Sequence, residues 1–167
     1  YYYRSPSSDS NRKTFTYSCW YKRALLSYSI GNVFEQKQNG QNYQVALFRD
    51  DDKFEFHGYT SSGGNQYTNH FVTTRKFRDI SSWYHIIIAV DTTQATASNR
   101  VKIYVNGSQV TDFDTETYPS RNFDTFVNTT QQVSLGRGQA GSSQAYDGYM
   151  SEIWHYDGRQ LEPTHFG

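Results

Sequence analysis

The sequence predicts an all-β fold, an antiparallel two-sheet sandwich, and three observations carry that expectation. Aromatic residues make up 17% of the 167 residues, with 15 Tyr and 11 Phe, a bias that favours strands over helices. Short segments of alternating apolar and polar residues recur along the chain between Gly, Asn, Asp and Ser turn signals, and no helix of normal length is visible among them. Trp83 to Asp91 and Arg100 to Gly107 read as two strands joined by a polar connection and ending in an Asn-Gly turn. Asn106 and Gly107 both tolerate positive φ, which a two-residue type I′ hairpin requires.

The elements follow in order. Residues 1–12 are polar and Ser-rich and read as an N-terminal arm, with Tyr1 to Tyr3 available to dock on the domain or on a neighbour and the C-terminal Phe166 as a further docking candidate. Residues 13–167 read as one domain, the natural expectation for this length. Thr14 to Lys22 is a strand with Phe15, Tyr17, Cys19 and Tyr21 on one face. Tyr28 to Glu35 is a second, and Asn39-Gly40 turns the chain into Tyr43 to Phe48. Asp50-Asp51-Asp52 breaks that strand. Phe54 to Tyr59 resumes with strict alternation, residues 61–65 form a loop, and Thr68 to Arg75 is the next strand. In the central hairpin, Trp83 and Tyr104 are expected near the core, and Ser108-Gln109-Val110 starts the return strand. Residues 112–131 read as irregular, Gln132 to Leu135 as a short strand, Gly136 to Ser143 as a glycine-rich loop, and Tyr146 to Tyr156 as the last long strand. Alternation places His155 with Ile153, as a core histidine with a hydrogen-bond partner.

Composition excludes some partners. The formal net charge is zero and no basic patch is visible, so nucleic acid is not expected. No apolar run is long enough for a membrane helix, so membrane insertion is not expected. Cys19 stands alone, which rules out an intrachain disulfide and suggests a small buried hydrophobe. The opening Tyr-Tyr-Tyr, with no Met, reads as part of something longer.

Several blocks share a pattern with a known family. The strand Thr14-Phe15-Thr16-Tyr17-Ser18-Cys19-Trp20-Tyr21-Lys22-Arg23 resembles the opening strand of laminin-G-like and pentraxin-like domains. Trp83 through Gly107 resembles their central hairpin, with its Trp-x-His start and its Tyr-Val-Asn-Gly strand and turn. Leu135-Gly136-Arg137-Gly138 with Tyr146 to Ile153 resembles the closing strand, and Asp157 to Pro163 resembles the exit. The resemblance implies a concanavalin-A-like jelly roll of two antiparallel sheets, one of them concave. Ala89 to Arg100 and the ending His165-Phe166-Gly167 are similar to laminin-G-like domains in virion structural proteins of tailed bacteriophages. That resemblance implies a structural or decoration protein of the head, tail or a fibre, on the extracellular particle surface. It further implies other virion proteins as partners and a homo-oligomer within an assembly. The alternative is a secreted or cell-surface carbohydrate-binding lectin module.

Three chemistries remain to be weighed. Relatives with this jelly roll that hydrolyse glucans use Glu-x-Asp-x-x-Glu, with the acids on one face of a strand and about 5 Å between the catalytic carboxyls for retention. The nearest cluster, Asp51-Asp52-Lys53-Phe54-Glu55, does not share one face, so no enzyme is expected. No cofactor is expected either, save that Asp50, Asp51 and Asp52 with Asn65, or Asp124 with Asn122, offer the hard oxygen donors that suit calcium. His57, His70, His85, His155 and His165 are scattered, without zinc-ligand spacing. Host or environmental glycans are the candidate ligands, with His57, Tyr59, Asn65 and Tyr67 as the candidate contacts.

Overall fold

A computed structural model of the protein describes residues 1–26, 30–39, 41–64, 66–139 and 144–167. Alternation decides which way each strand faces. Phe15, Tyr17, Cys19 and Tyr21 lie on one face of β2 (Thr14–Arg23), and all four are buried. They meet Phe34 of β3 (Gly31–Asn39), Ala46 and Phe48 of β4 (Asn42–Phe48), Phe54 and Phe56 of β5 (Lys53–Thr60) and Phe71 of β6 (Gln66–Lys76). Tyr84, Ile86, Ile88 and Val90 of β7 (Tyr84–Asp91) and Val101, Ile103 and Val105 of β8 (Val101–Val105) complete this core.

Four shorter or outer strands complete the sheets. They are β1 (Tyr2–Arg4), β9 (Ser108–Gln109), β10 (Phe113–Thr117) and β11 (Val133–Leu135), and the long β12 (Gly148–Asp157) follows. Among the described residues the strands form two antiparallel sheets, ordered β1-β11-β3-β4-β5-β6-β10 and β12-β2-β7-β8-β9. Two short 3-10 turns, Ala97–Asn99 and Pro163–His165, accompany them. This is the all-β, two-sheet jelly-roll sandwich that the sequence predicts.

The central hairpin forms as its turn residues require. Asn106 and Gly107 take φ of 49° and 81°, and Val105 pairs with Ser108 across them. The Asn106 side chain accepts a hydrogen bond from the His85 amide at 2.8 Å, which ties the turn to the start of β7.

Four readings of the sequence need correction. The strand expected from residue 28 begins at Gly31, and residues 27–29 and 40, with the turn read at Asn39-Gly40, lie at least partly outside the described residues. The stretch 112–131 is not wholly irregular, because β10 pairs with β6. Its Phe-Asp-Thr-Glu-Thr sequence carries a single apolar residue, as suits a charged edge strand that discourages further pairing. Tyr2–Arg4 of the arm pairs with β11 at the opposite edge, so this part of it docks on the domain. Trp83 is 39% exposed, because it precedes β7 and the core-facing phase of that strand starts at Tyr84. Phe166, expected as a docking residue, packs on the outer face of its own five-stranded sheet, against Ile87, Ala89 and Tyr104.

His155 illustrates how one residue re-aims a strand. Ser151 pairs with Trp20 but Trp154 with Ser18, so β12 carries one extra residue, and Glu152 within it has φ of 50°. The bulge shifts the phase, turning Trp154 outward and His155 towards Tyr17 on the core side. There the imidazole stacks on Phe15 and Phe34, and its Nε2 lies 2.7 Å from Asn128 Oδ1. The partner is thus a side-chain amide. The ring also borders an apolar cleft of ≈ 440 Å³ between the sheet edges, through which solvent reaches it.

Candidate functional site

The face of the seven-stranded sheet turned away from the core is assembled by register. Glu35 pairs with Val45, Val45 with His57, and His57 with His70, forming one row across β3 to β6. Lys37, Tyr43, Tyr59 and Tyr67 form the next row. Leu47, Glu55 and Val72 form the row on the other side. Gly58 sits in β5 beside these rows, where a side chain would require its neighbours to shift. A Cβ there would lie 2.3 Å from Thr68 Oγ1 and 2.7 Å from Asn69 Oδ1.

The aromatic rings of this face touch one another. Tyr43 stacks on Tyr59 with centroids 5.4 Å apart, and Tyr67 stacks on His70 at 4.0 Å. His57 meets Tyr43, Tyr67 and His70 edge to face at 5.8, 5.1 and 5.6 Å. Tyr67 is the outermost, 47% exposed, whereas His57 is 7% exposed and forms the floor.

Beneath the rings lies a charge network. Glu55, 5% exposed, accepts a hydrogen bond from Arg49 Nη1 on Oε2 at 2.8 Å. Its Oε1 faces both imidazoles, with His70 Nε2 at 2.9 Å and His57 Nδ1 at 2.8 Å. The His57 contact lies off the direction of a hydrogen bond, so Nδ1 is buried without one. Burial alone would raise the Glu55 carboxyl, but contacts with His57, His70 and Arg49 outweigh it and hold the group far below the ordinary carboxylate range. Glu55 is therefore a carboxylate throughout the physiological range.

Of the four ligand-contact candidates, the structure brings His57, Tyr59 and Tyr67 onto this face, and Asn65 lies outside the described residues. Sequence reading missed Tyr43, His70 and Arg49, and it set Glu55 aside. The histidines are not all scattered, since His57 and His70 are cross-strand neighbours. A partial signal existed: His57 lies six residues before Gly63, the middle of the loop at 61–65, and His70 seven after it, so a hairpin there brings them near each other, and the register shift between Gly58 and Tyr59 puts them opposite.

The calcium candidates are placed differently. Asp52 is buried, its Oδ1 2.9 Å from Arg23 Nη1 and its Oδ2 2.9 Å from Arg78 Nε. Asp51 lies 3.2 Å from Arg49 Nε and 3.5 Å from Lys53 Nζ. Both therefore spend their oxygens on cations, an arrangement opposite to an oxygen cage for a cation. Asp50 is an exposed turn residue. Asp124 lies 3.9 Å from Lys13 Nζ.

Comparison with known proteins adds the family. The family model described as the concanavalin A-like lectin/glucanases superfamily matches residues 1–165. The chain belongs to this superfamily. No curated protein matches it by sequence. Solved structures of the superfamily fold resemble it at low identity. A native heptameric SAP-like pentraxin from Limulus polyphemus is similar at 15% identity and a TM-score of 0.59, over 92% of this chain and 68% of that one. Domain 4 of AbnA, a GH43 extracellular arabinanase from Geobacillus stearothermophilus, in complex with arabinotriose, is similar at 19% identity and a TM-score of 0.64, over 92% and 66%. The CBM40 of a Ruminococcus gnavus IT-sialidase, bound to α2,3 sialyllactose, is similar at 11% identity and a TM-score of 0.63, over 98% and 95%. The chain spans about two thirds of the pentraxin and arabinanase-domain chains. At such identities the likeness establishes the lectin-like fold.

Proposed function

We propose that this superfamily member is a non-catalytic carbohydrate-binding module, with its glycan laid across Tyr43, Tyr59 and Tyr67. The observation that carries the reading is the outward face itself, where half-exposed aromatic rings stand over buried polar groups. Aromatic walls with a few convergent polar groups are the usual make-up of a small-ligand site. Two of the similar structures are complexes with arabinotriose and sialyllactose, which supports the ligand class. The depressed Glu55 carboxyl does not suit it as the general acid of a glycosidase, which must have a raised pKa to donate a proton near neutrality.

The finer setting rests on the sequence resemblance to tailed-phage virion proteins. In that reading the module sits on the surface of an extracellular particle, as a decoration or fibre component beside other virion proteins, and its glycans are those of the host or its surroundings. The exposed Tyr1 to Tyr3, 61–76% accessible, would then form part of the contact with a neighbouring subunit.

The test is a glycan-array screen of the purified domain in calcium and again in EDTA. Saturable binding is expected in both buffers, and it should be lost in Tyr67→Ala, an exposed position where the melting temperature should not change. Failure to bind in either buffer overturns the module reading and leaves an assembly role. Binding abolished by EDTA would mean that a bound metal ion, and not the tyrosine rings alone, holds the sugar.

A further inference from the structure

We propose that Glu55, His57 and His70 form a binding site for one divalent metal ion of the zinc class. Candidate donor atoms of the three residues all lie within 4.8 Å of one another. Glu55 Oε1 is 2.8 Å from His57 Nδ1 and 2.9 Å from His70 Nε2. Zinc bonds of about 2.0–2.2 Å to nitrogen and oxygen place tetrahedral ligands roughly 3.3 Å apart, so the two short edges need to open by about half an ångström while the edge between the imidazole nitrogens, within 4.8 Å, adjusts to the same length.

A second observation points into the same triangle. His57 has a side chain only 9% exposed, yet its Nδ1 has no hydrogen bond. Its one polar contact, with Glu55 Oε1, is poorly directed for a hydrogen bond, and a metal held between the two atoms would take up the ring nitrogen's lone pair. Arg49 binds the far carboxylate oxygen, Oε2, and leaves Oε1 facing the two imidazoles. Such an outer partner fixes the orientation of a ligating carboxylate. Two imidazole nitrogens and one carboxylate oxygen favour zinc-class ions and disfavour calcium, which takes oxygen donors. The strands supply three protein ligands, and a fourth position would be left for water or a ligand, the pattern of an open zinc site.

The site stands on Glu55, His57 and His70 and not on the glycan reading. Zinc binding is therefore measured with no sugar present, and the glycan screen in EDTA fails or succeeds separately. Metal-stripped protein is titrated with ZnCl2 by calorimetry and with CoCl2 by visible absorption. One equivalent of zinc and an intense tetrahedral cobalt spectrum are expected. Arg49→Gln should weaken zinc binding about 10–100-fold, and His57→Ala or His70→Ala should weaken it further. His165→Ala, on an exposed residue outside the face, should leave it unchanged. Circular dichroism confirms that each variant is folded, and His70→Ala, at the more exposed ligand, serves if His57→Ala does not fold. The proposal is overturned if folded wild-type protein shows no saturable zinc binding, or if folded His70→Ala binds zinc as wild type does.

Discussion

Asp52→Asn tests the architecture at the point where the sequence suggests a calcium ligand and the structure shows an ion pair. The Arg23 and Asp52 side chains are 4% and 1% exposed and 2.9 Å apart. The second partner, Arg78, is 59% exposed. Asn keeps the shape and tolerates the φ of 69° at this position. What it removes is the charge, leaving the Arg23 guanidinium buried and uncompensated. Breaking a buried pair in this way costs about 3–5 kcal/mol. Since Asn can still accept one hydrogen bond, the lower end applies, about 3 kcal/mol. For a domain of this size that corresponds to a fall in melting temperature of roughly 6–12 °C. Arg78→Ala removes only the wet half of the pair and should cost no more than about 1 kcal/mol. Urea unfolding followed by tryptophan fluorescence measures both. A cost below about 1 kcal/mol for Asp52→Asn would refute the reasoning, since that is the range of a surface pair. So would a calcium-induced rise in wild-type melting temperature that Asp52→Asn abolishes.

Three further outcomes are expected. Trp83→Ala should cost about 1 kcal/mol or less because the ring is 39% exposed, whereas Ile88→Ala, at 1% exposure, should cost about 2–5 kcal/mol; equal costs by urea unfolding would contradict the placement of β7. Burial raises the Glu55 carboxyl but its cationic neighbours outweigh this and depress it, so its contribution is fully present above the unfolded value of about 4.3 and is lost as pH falls below it. The acid limb of the stability–pH curve should therefore be shallower in Glu55→Gln, and an unchanged limb would show that the network does not hold the charge. Cys19 is fully buried, and desolvation pushes its thiol up to about 12, so the native protein should resist thiol alkylation at pH 8 and react only on unfolding.

The fold was legible where alternation was strict and turn chemistry specific. β2, β5, β7 and the Asn106-Gly107 turn each announce themselves within ten residues. β10 and β1 did not, because edge strands are stabilised by partners far away in sequence and carry little apolar pattern of their own. The site was half legible for the same reason. His57 and Tyr59 share a face by alternation alone, but bringing His70 to His57 and Tyr43 to Tyr59 requires the register of two hairpins. The Asp triplet misled because sequence shows the carboxylates and not the Arg23 and Arg78 that claim Asp52 from other segments, while the adjacent Arg49, which pairs with Asp51, was passed over.

The packing of the tyrosine face bears on how it binds. Val45, Leu47 and Val72 lie on this outward face, yet they are only 2–5% exposed, which marks them as covered by the long side chains around them. The rings above are held in turn by stacking and by edge-to-face contacts with His57. A Tyr side chain fixed before binding loses little freedom when a ligand arrives, and ordering a free one costs about 0.5–1.5 kcal/mol. Three prearranged tyrosines thus remove a penalty of about 1.5–4.5 kcal/mol, roughly one to three factors of ten in affinity. His57 is the shared support, since it touches Tyr43, Tyr67 and His70 at once. Replacing it should therefore weaken a ligand carried by the tyrosines even where the ligand never contacts the imidazole. The loss should appear as a less favourable binding entropy by calorimetry, and a purely enthalpic loss would instead mean that His57 touches the ligand directly.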